Sequence, residues 1–218
     1  MAIATVPARS KQISNDLPQN PLMSFAEYIE HERASDVKHH YYYGRLIEVA
    51  GAAYEHNVIS ANLIAALSIV LEETDCRPLG SDQKIFVSQN VSYYPDIAVT
   101  CGAPLITFTE ALQNPVLVAE ILSPSTAAFD RGEKFRQYRT ITSLQHYLLL
   151  EQDRPIVEHF ERDTAGVWTL RGEYDALEQN LELTISGHTI SVPLSKIYQN
   201  ITFPASAKSA AAPETTEE

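Results

Sequence analysis

Apolar and polar positions alternate along the chain in a way that predicts a helical opening, a set of strands around one long helix, and a strand-rich closing stretch. Ser24, followed three residues later by Glu27, is a capping-box pattern and predicts a helix reaching about Ala34. Gly44, set between Tyr41–Tyr43 and the apolar stretch Leu46–Val49, predicts a hairpin. From His56 to Glu73 apolar residues recur three and four apart, at Ile59, Leu63, Ala66, Leu67, Val70 and Leu71, the spacing of a helix with one buried face. Strands are expected around Lys84–Val87, Tyr93–Val99 and Val116–Leu122, a helix over Asp130–Arg139 and a further strand over His146–Leu150. That order, helix, three strands, helix, strand, describes an α+β fold with an α/β-like core and a mixed sheet. Alternating segments at Ile156–Phe160, Val167–Leu170 and Leu181–Ile185 predict an antiparallel extension, closed by a short helix over Leu194–Tyr198.

The ends lack this patterning. Residues 1–21 carry Pro7, Pro18 and Pro21 with little apolar periodicity, and residues 204–218 are small, polar and acidic, so both are expected to be disordered around a single domain at 22–203. The net charge is −12, and setting those ends aside leaves −11 on the domain, so the acidity belongs to the fold. A broad nucleic-acid-binding surface is disfavoured, although a local positive cleft or a bound cation would escape that conclusion. Cys76 and Cys101 are too few for a disulfide scaffold and lack zinc-site spacing, which favours a reducing compartment. With no run long and apolar enough for a membrane span and no signal-peptide stretch, a cytoplasmic protein is expected.

Candidate chemistry begins with two acids. The stretch Val116–Leu122 is apolar at both parities, the mark of a central strand buried on both faces, yet it contains Glu120. An unpaired carboxylate there costs several kcal/mol, of order 3 or more, so it must be neutral, paired or bound to a cation. Asp96 sits in the preceding strand in a similar setting, between Tyr93-Tyr94-Pro95 and Ile97-Ala98-Val99. Acids on neighbouring strands can converge on one hard divalent cation such as Mg²⁺. The segment Arg131–Arg139 supplies positive charge: on a helix Lys134 stands one turn after Asp130, pairing with it or reaching the carboxylates to polarise a water. Arg131, Arg136 or Arg139 would then contact backbone phosphates.

These same stretches, Y-Y-P-D-I-A-V, P-V-L-V-A-E-I-L-S-P-S-T, D-R-G-E-K-F-R-Q-Y-R and S-L-Q-H-Y-L-L-L, resemble the Uma-two family of endonuclease-like proteins. The likeness extends to E-Y-I-E-H-E at Glu27–Glu32, G-R-L-I-E-V-A-G at Gly44–Gly51 and E-H-N-V-I-S-A-N-L at Glu55–Leu63. It implies the restriction-endonuclease-like core of the PD-(D/E)XK superfamily and a Mg²⁺-dependent endonuclease acting on DNA, with Mn²⁺ as an alternative ion. Carried over, Asp96 and Glu120 hold the metal. The superfamily lysine, two residues after the second acid, is replaced by Leu122, and Lys134 is its stand-in. Cutting both strands takes two sites, which a homodimer would supply.

Other residues weigh less. Asp82 is a second-tier third acid, with Lys84 near it, although a polar loop entering a strand accounts for both. His56 at the head of the long helix reads as a surface or capping residue ahead of a role in proton transfer or phosphate orientation. His31, His39 and His40 do not share ligand spacing with a cysteine, and Ser123, Ser125 and Thr126 read as a turn and helix cap. Two alternatives stand beside the nuclease: a non-cleaving nucleic-acid or protein-binding member of the same fold, and a glycoside hydrolase using the carboxylate pair.

Overall fold

The computed structural model describes residues 22–107 and 110–203; the expected leader and tail lie outside them. Helix α1 (Phe25–Ala34) opens as the capping box requires: the Glu27 amide donates to Ser24 Oγ and the Ser24 amide donates to Glu27 Oε2. Strands β1 (His39–Tyr42) and β2 (Arg45–Glu48) form the hairpin. Tyr43 and Gly44 form its turn, both at positive φ, 46° and 82°, as a two-residue turn of this hand demands. Helix α2 spans Tyr54–Val70 and buries Ile59, Leu63 and Leu67, the stripe its spacing predicts.

Next come β3 (Cys76–Leu79), β4 (Ile85–Ser88), β5 (Val91–Tyr93), β6 (Ile97–Cys101) and β7 (Pro115–Leu122). The strand expected over Tyr93–Val99 is in fact two. Tyr94-Pro95-Asp96 interrupts it, and β5 and β6 belong to different sheets. Proline, without an N–H, is poorly suited to continue a ladder there. A continuous helical segment follows: α3 (Ala127–Phe129), a π turn (Asp130–Lys134) and α4 (Phe135–Tyr138). The chain closes with β8 (His146–Glu151), β9 (Val157–Arg162), β10 (Trp168–Tyr174), β11 (Asn180–Ile185), β12 (His188–Pro193) and α5 (Leu194–Ile197).

The central sheet has six strands in the order β10-β9-β8-β7-β6-β3, mixed because β7 and β8 run parallel while the other neighbours are antiparallel. On one face, Ile97, Val99, Leu117, Ala119 and Ile121 pack against α2 and the β11–β12 hairpin. On the other, Ala98, Val118, Leu122 and Leu149 pack against Phe135 and Tyr138 of α4. A second sheet, β2-β1-β5-β4, meets this latter face through Tyr93. Among the described residues no helix is long and apolar enough to cross a membrane.

Two features depart from expectation. Cys76 and Cys101 stand opposite one another where β3 pairs with β6 and are joined in a disulfide, so their small number is no argument for a reducing compartment. A buried histidine pair also links β8, β9 and β11: His146 Nε2 lies 3.0 Å from the Thr184 carbonyl oxygen, and its Nδ1 lies 3.0 Å from His159 Nε2. A carbonyl only accepts, so neutral His146 carries its proton on Nε2 and His159 Nε2–H donates to it. His159 Nδ1 is left buried without a partner, and burial, with His146 and Arg171 nearby, pushes the His159 pKa down to about 3.

The unfolded chain therefore binds a proton below about pH 6.5 that folded His159 refuses, and stability contributed here is intact above that pH and lost as pH falls towards 3. A His159→Gln variant, which keeps the donor and cannot titrate, should show a shallower decline in denaturant midpoint between pH 6.5 and 4 than the parent; parallel slopes would refute this.

Candidate metal and phosphate site

All eight residues of β7 are buried, and alternation fixes which way each points. Glu120 shares the parity of Val118 and Leu122 and so faces α4 and the π turn, in a region only 2% exposed. The β6–β7 ladder sets Ile97 opposite Ala119. Carried one residue further, that register brings Asp96 beside Glu120, at the end of β6 where the chain leaves the sheet.

Lys134 comes down onto this spot from the π turn. Its Nζ lies 2.8 Å from Glu120 Oε1 and 3.4 Å from Asp130 Oδ1, and all three side chains are at least 95% buried. Tyr147 supports the turn by donating its hydroxyl to the Asp130 carbonyl at 2.9 Å. Burial alone would lower the lysine's pKa, yet Glu120, Asp130 and Asp96 together hold it above its ordinary value, so Lys134 is a cation. Burial pushes Glu120 well above the ordinary carboxyl range; Asp130 and Asp96 add to this, and Lys134 only partly offsets it.

Asp96 is secured differently. Its Oδ1 accepts from His56 Nε2 at 3.0 Å and its Oδ2 accepts from the Ile121 amide at 2.7 Å. Burial pushes this carboxyl up, but the His56 bond, the charges of His56 and Lys134 and the amide outweigh it, and the net shift is downward. Asp96 thus stays ionised, with its side chain 21% exposed at the mouth of the site, while Glu120 lies at its floor.

The site departs from the sequence expectations at its edges. His56 is not a cap: α2 starts from Ala53 without a side-chain cap, and the imidazole turns inward onto Asp96. Its place at the head of an amphipathic helix was the available signal, but nothing in the pattern names the strand it meets. Asp82 is 95% exposed and pairs with Lys38 at 2.9 Å, so it does not join Asp96 and Glu120. Lys84 is buried beneath the rings of Tyr28 and Tyr94, with Nζ 5.2 and 5.6 Å from their centroids. Arg131 pairs with Glu151 at 2.9 Å and with Glu158, Arg136 with Glu133 at 2.6 Å, and Arg139 lies over the Phe135 ring. Two of the three arginines that were candidates for phosphate contact are therefore already held by acids.

The donor set suits a hydrated hard cation. Among the described residues, three ligand atoms from His, Cys, Asp or Glu gather within 4.8 Å only at Asp75, Cys76 and Cys101, whose sulfurs are bonded to each other. Asp96 and Glu120 would offer such an ion two carboxylates, a number that suits Mg²⁺ because that ion keeps several waters. Glu120 Oε1 meets Lys134 at ion-pair distance but receives no well-directed hydrogen bond, and the Tyr138 hydroxyl, within electrostatic reach of Glu120, is buried without a partner. Both atoms have unused capacity for water or a cation.

Removing Lys134 would leave Glu120 and Asp130 buried without a counter-charge. Lys134→Ala should cost about 3–5 kcal/mol in denaturant unfolding, and Lys134→Met combined with Glu120→Gln should recover part of it. A Lys134→Ala protein as stable as the parent would show that the charges are not coupled.

Residues 25–193 match a family model, Uma2, described as "Putative restriction endonuclease". The chain is 34% identical over 168 residues to the uncharacterised protein sll1609 of Synechocystis sp., covering 76% of this chain and 93% of that one. A second Synechocystis protein, slr1290, is 34% identical over 184 residues, covering 84% and 95%. The fold matches a crystal structure of a "putative nuclease belonging to DUF820" from Anabaena variabilis with a TM-score of 0.62 at 13% identity, over 81% of this chain and 97% of that one. The sheet order, the buried acids and these likenesses agree: the chain belongs to the Uma2 family of restriction-endonuclease-like proteins.

Proposed function

We propose that this protein is a Mg²⁺-dependent endonuclease that hydrolyses phosphodiester bonds in DNA. The observation that carries this reading is the buried Lys134, shared between Glu120 and Asp130 on the sheet face where Asp96 adjoins Glu120. Three carboxyl groups around one ammonium would repel a phosphate, so an anionic substrate calls for an added cation. Asp96 and Glu120 would hold it, with Mn²⁺ as an alternative ion. A bound divalent ion supplies Lewis-acid stabilisation of the phosphate and a more acidic water.

The chain's own residues provide position and charge. His56 and the Ile121 amide hold the Asp96 carboxylate ionised and fixed in direction. Lys134, at ion-pair distance from Glu120 and Asp130, has three N–H donors, one of which would orient the attacking water or the scissile phosphate. Its origin in a π turn, a distortion often found at functional sites, fits that role.

A second reading, a nucleic-acid-binding protein that does not cleave, draws on particular residues: Leu122, 1% exposed, occupies the superfamily's lysine position, and Arg131 and Arg136 are committed to acids. Supercoiled plasmid separates the two. With Mg²⁺ the parent should convert it to nicked or linear form, chelator should stop this, and Asp96→Ala or Lys134→Ala should reduce the rate on the order of 100-fold or more. Cleavage that survives Asp96→Ala overturns the nuclease reading, and DNA retention without metal-dependent turnover supports the second.

A further inference from the structure

Strand β1 brings one more side chain towards this site. His40 and Tyr42 lie two residues apart and so point to the same side of β1. Tyr42 donates its hydroxyl to Glu133 Oε1 at 2.8 Å, which ties that side of β1 to the π turn one residue before Lys134. Glu133 is a firm anchor: the Arg136 hydrogen bond, supported by Gln137 and Tyr42, holds its carboxyl down at about 2. The His40 ring sits edge-on to Tyr93 at 5.4 Å, and its Nδ1 accepts from the Tyr94 amide at 3.2 Å, two residues before Asp96. His40 is thus fastened at one end to the segment that carries Asp96, and by its strand to the turn that carries Lys134.

The hydrogen bond decides its chemistry. A backbone amide can only donate, so Nδ1 is the unprotonated nitrogen and the neutral ring carries its hydrogen on Nε2. Burial and the nearby cations Lys134 and Lys38 hold the ring in that neutral state. Among the described residues Nε2 has no hydrogen-bond partner, although it is a donor with a fixed direction. A neutral N–H donor within electrostatic reach of the Lys134 ammonium suits an uncharged contact to an anionic oxygen.

Resting on the phosphodiesterase reading above, we propose that His40 is a substrate-binding residue whose Nε2–H donates to a non-bridging oxygen of the phosphate that Lys134 faces. No proton is transferred in this role; the imidazole remains neutral and acts as a preorganised donor. It also gives the hairpin a purpose, since the second sheet then supplies one wall of the phosphate site while the central sheet supplies the acids.

The test has two arms. Long-range ¹H–¹⁵N spectra of the full-length protein should show His40 as the Nε2–H tautomer near neutral pH, and a short thymidine dinucleotide added with Ca²⁺ should shift the His40 Nε2 signal. In plasmid cleavage, His40→Ala should slow turnover on the order of 100-fold, and His40→Gln, whose amide can reproduce the Nε2 donor, should restore much of it. An Nδ1–H tautomer, or a His40→Ala protein that folds and cleaves like the parent while Asp96→Ala is inactive, overturns the role of His40 and leaves the nuclease reading standing. If the parent shows no metal-dependent cleavage, the nuclease reading fails and this inference falls with it. Should His40→Ala fail to fold, the tautomer and the dinucleotide shift in the parent still decide the matter.

Discussion

A carboxyl group in the middle of a strand buried on both faces is the constraint from which the rest of the site follows. Glu120 is out of reach of bulk water, so its carboxyl group needs a partner supplied by the fold. Lys134 is that partner, and bringing an ammonium into the same dry region requires a second acid, Asp130, one turn earlier on the same segment. A triad of this kind is not an efficient route to stability, because well-packed apolar residues of similar size often do as well. Its presence in a strand buried at all eight positions is what motivates the functional reading proposed above.

The architecture places rigid supports around that triad. On one side α2 buries Ile59, Leu63 and Leu67 against the sheet, and this packing sets the depth at which His56 meets Asp96. On the other, Phe135 stacks on Tyr147 with ring centroids 4.5 Å apart, and Tyr138 packs edge-on to Tyr93 at 5.5 Å, fixing the helical segment that carries Lys134. The second sheet is then locked to the π turn by Tyr42 and Glu133. Each charged group is thus held by an element whose position is set by apolar packing, so the polar contacts need little ordering of their own.

The net charge of −12 extends to the surroundings of the site. Basic side chains near the site are mostly answered by acids: Arg131 by Glu151 and Glu158, Arg136 by Glu133, Lys38 by Asp82. On the nuclease reading, attraction of a phosphate would rest on Lys134, uncharged donors and a cation held by the two acids.

How much of this was legible in the sequence depends on what kind of information a pattern carries. Periodicity reports how a segment is buried, so the capping box at Ser24 and Glu27, the stripe of α2 and the two-faced burial of Val116–Leu122 were all readable, and with them the anomaly of Glu120. Lys134 was readable as a candidate because helical spacing ties it to Asp130. Periodicity does not report which neighbour lies across a buried face. That β5 and β6 part at Pro95 into separate sheets, that His56 turns onto Asp96, that Cys76 meets Cys101 and that His40 hangs from the Tyr94 amide are consequences of long-range pairing. The sequence by itself determined the elements and the buried acid; the tertiary structure alone decided the partners of that acid, because contacts between residues 25 to 91 positions apart are set by sheet order and register, which no local pattern encodes.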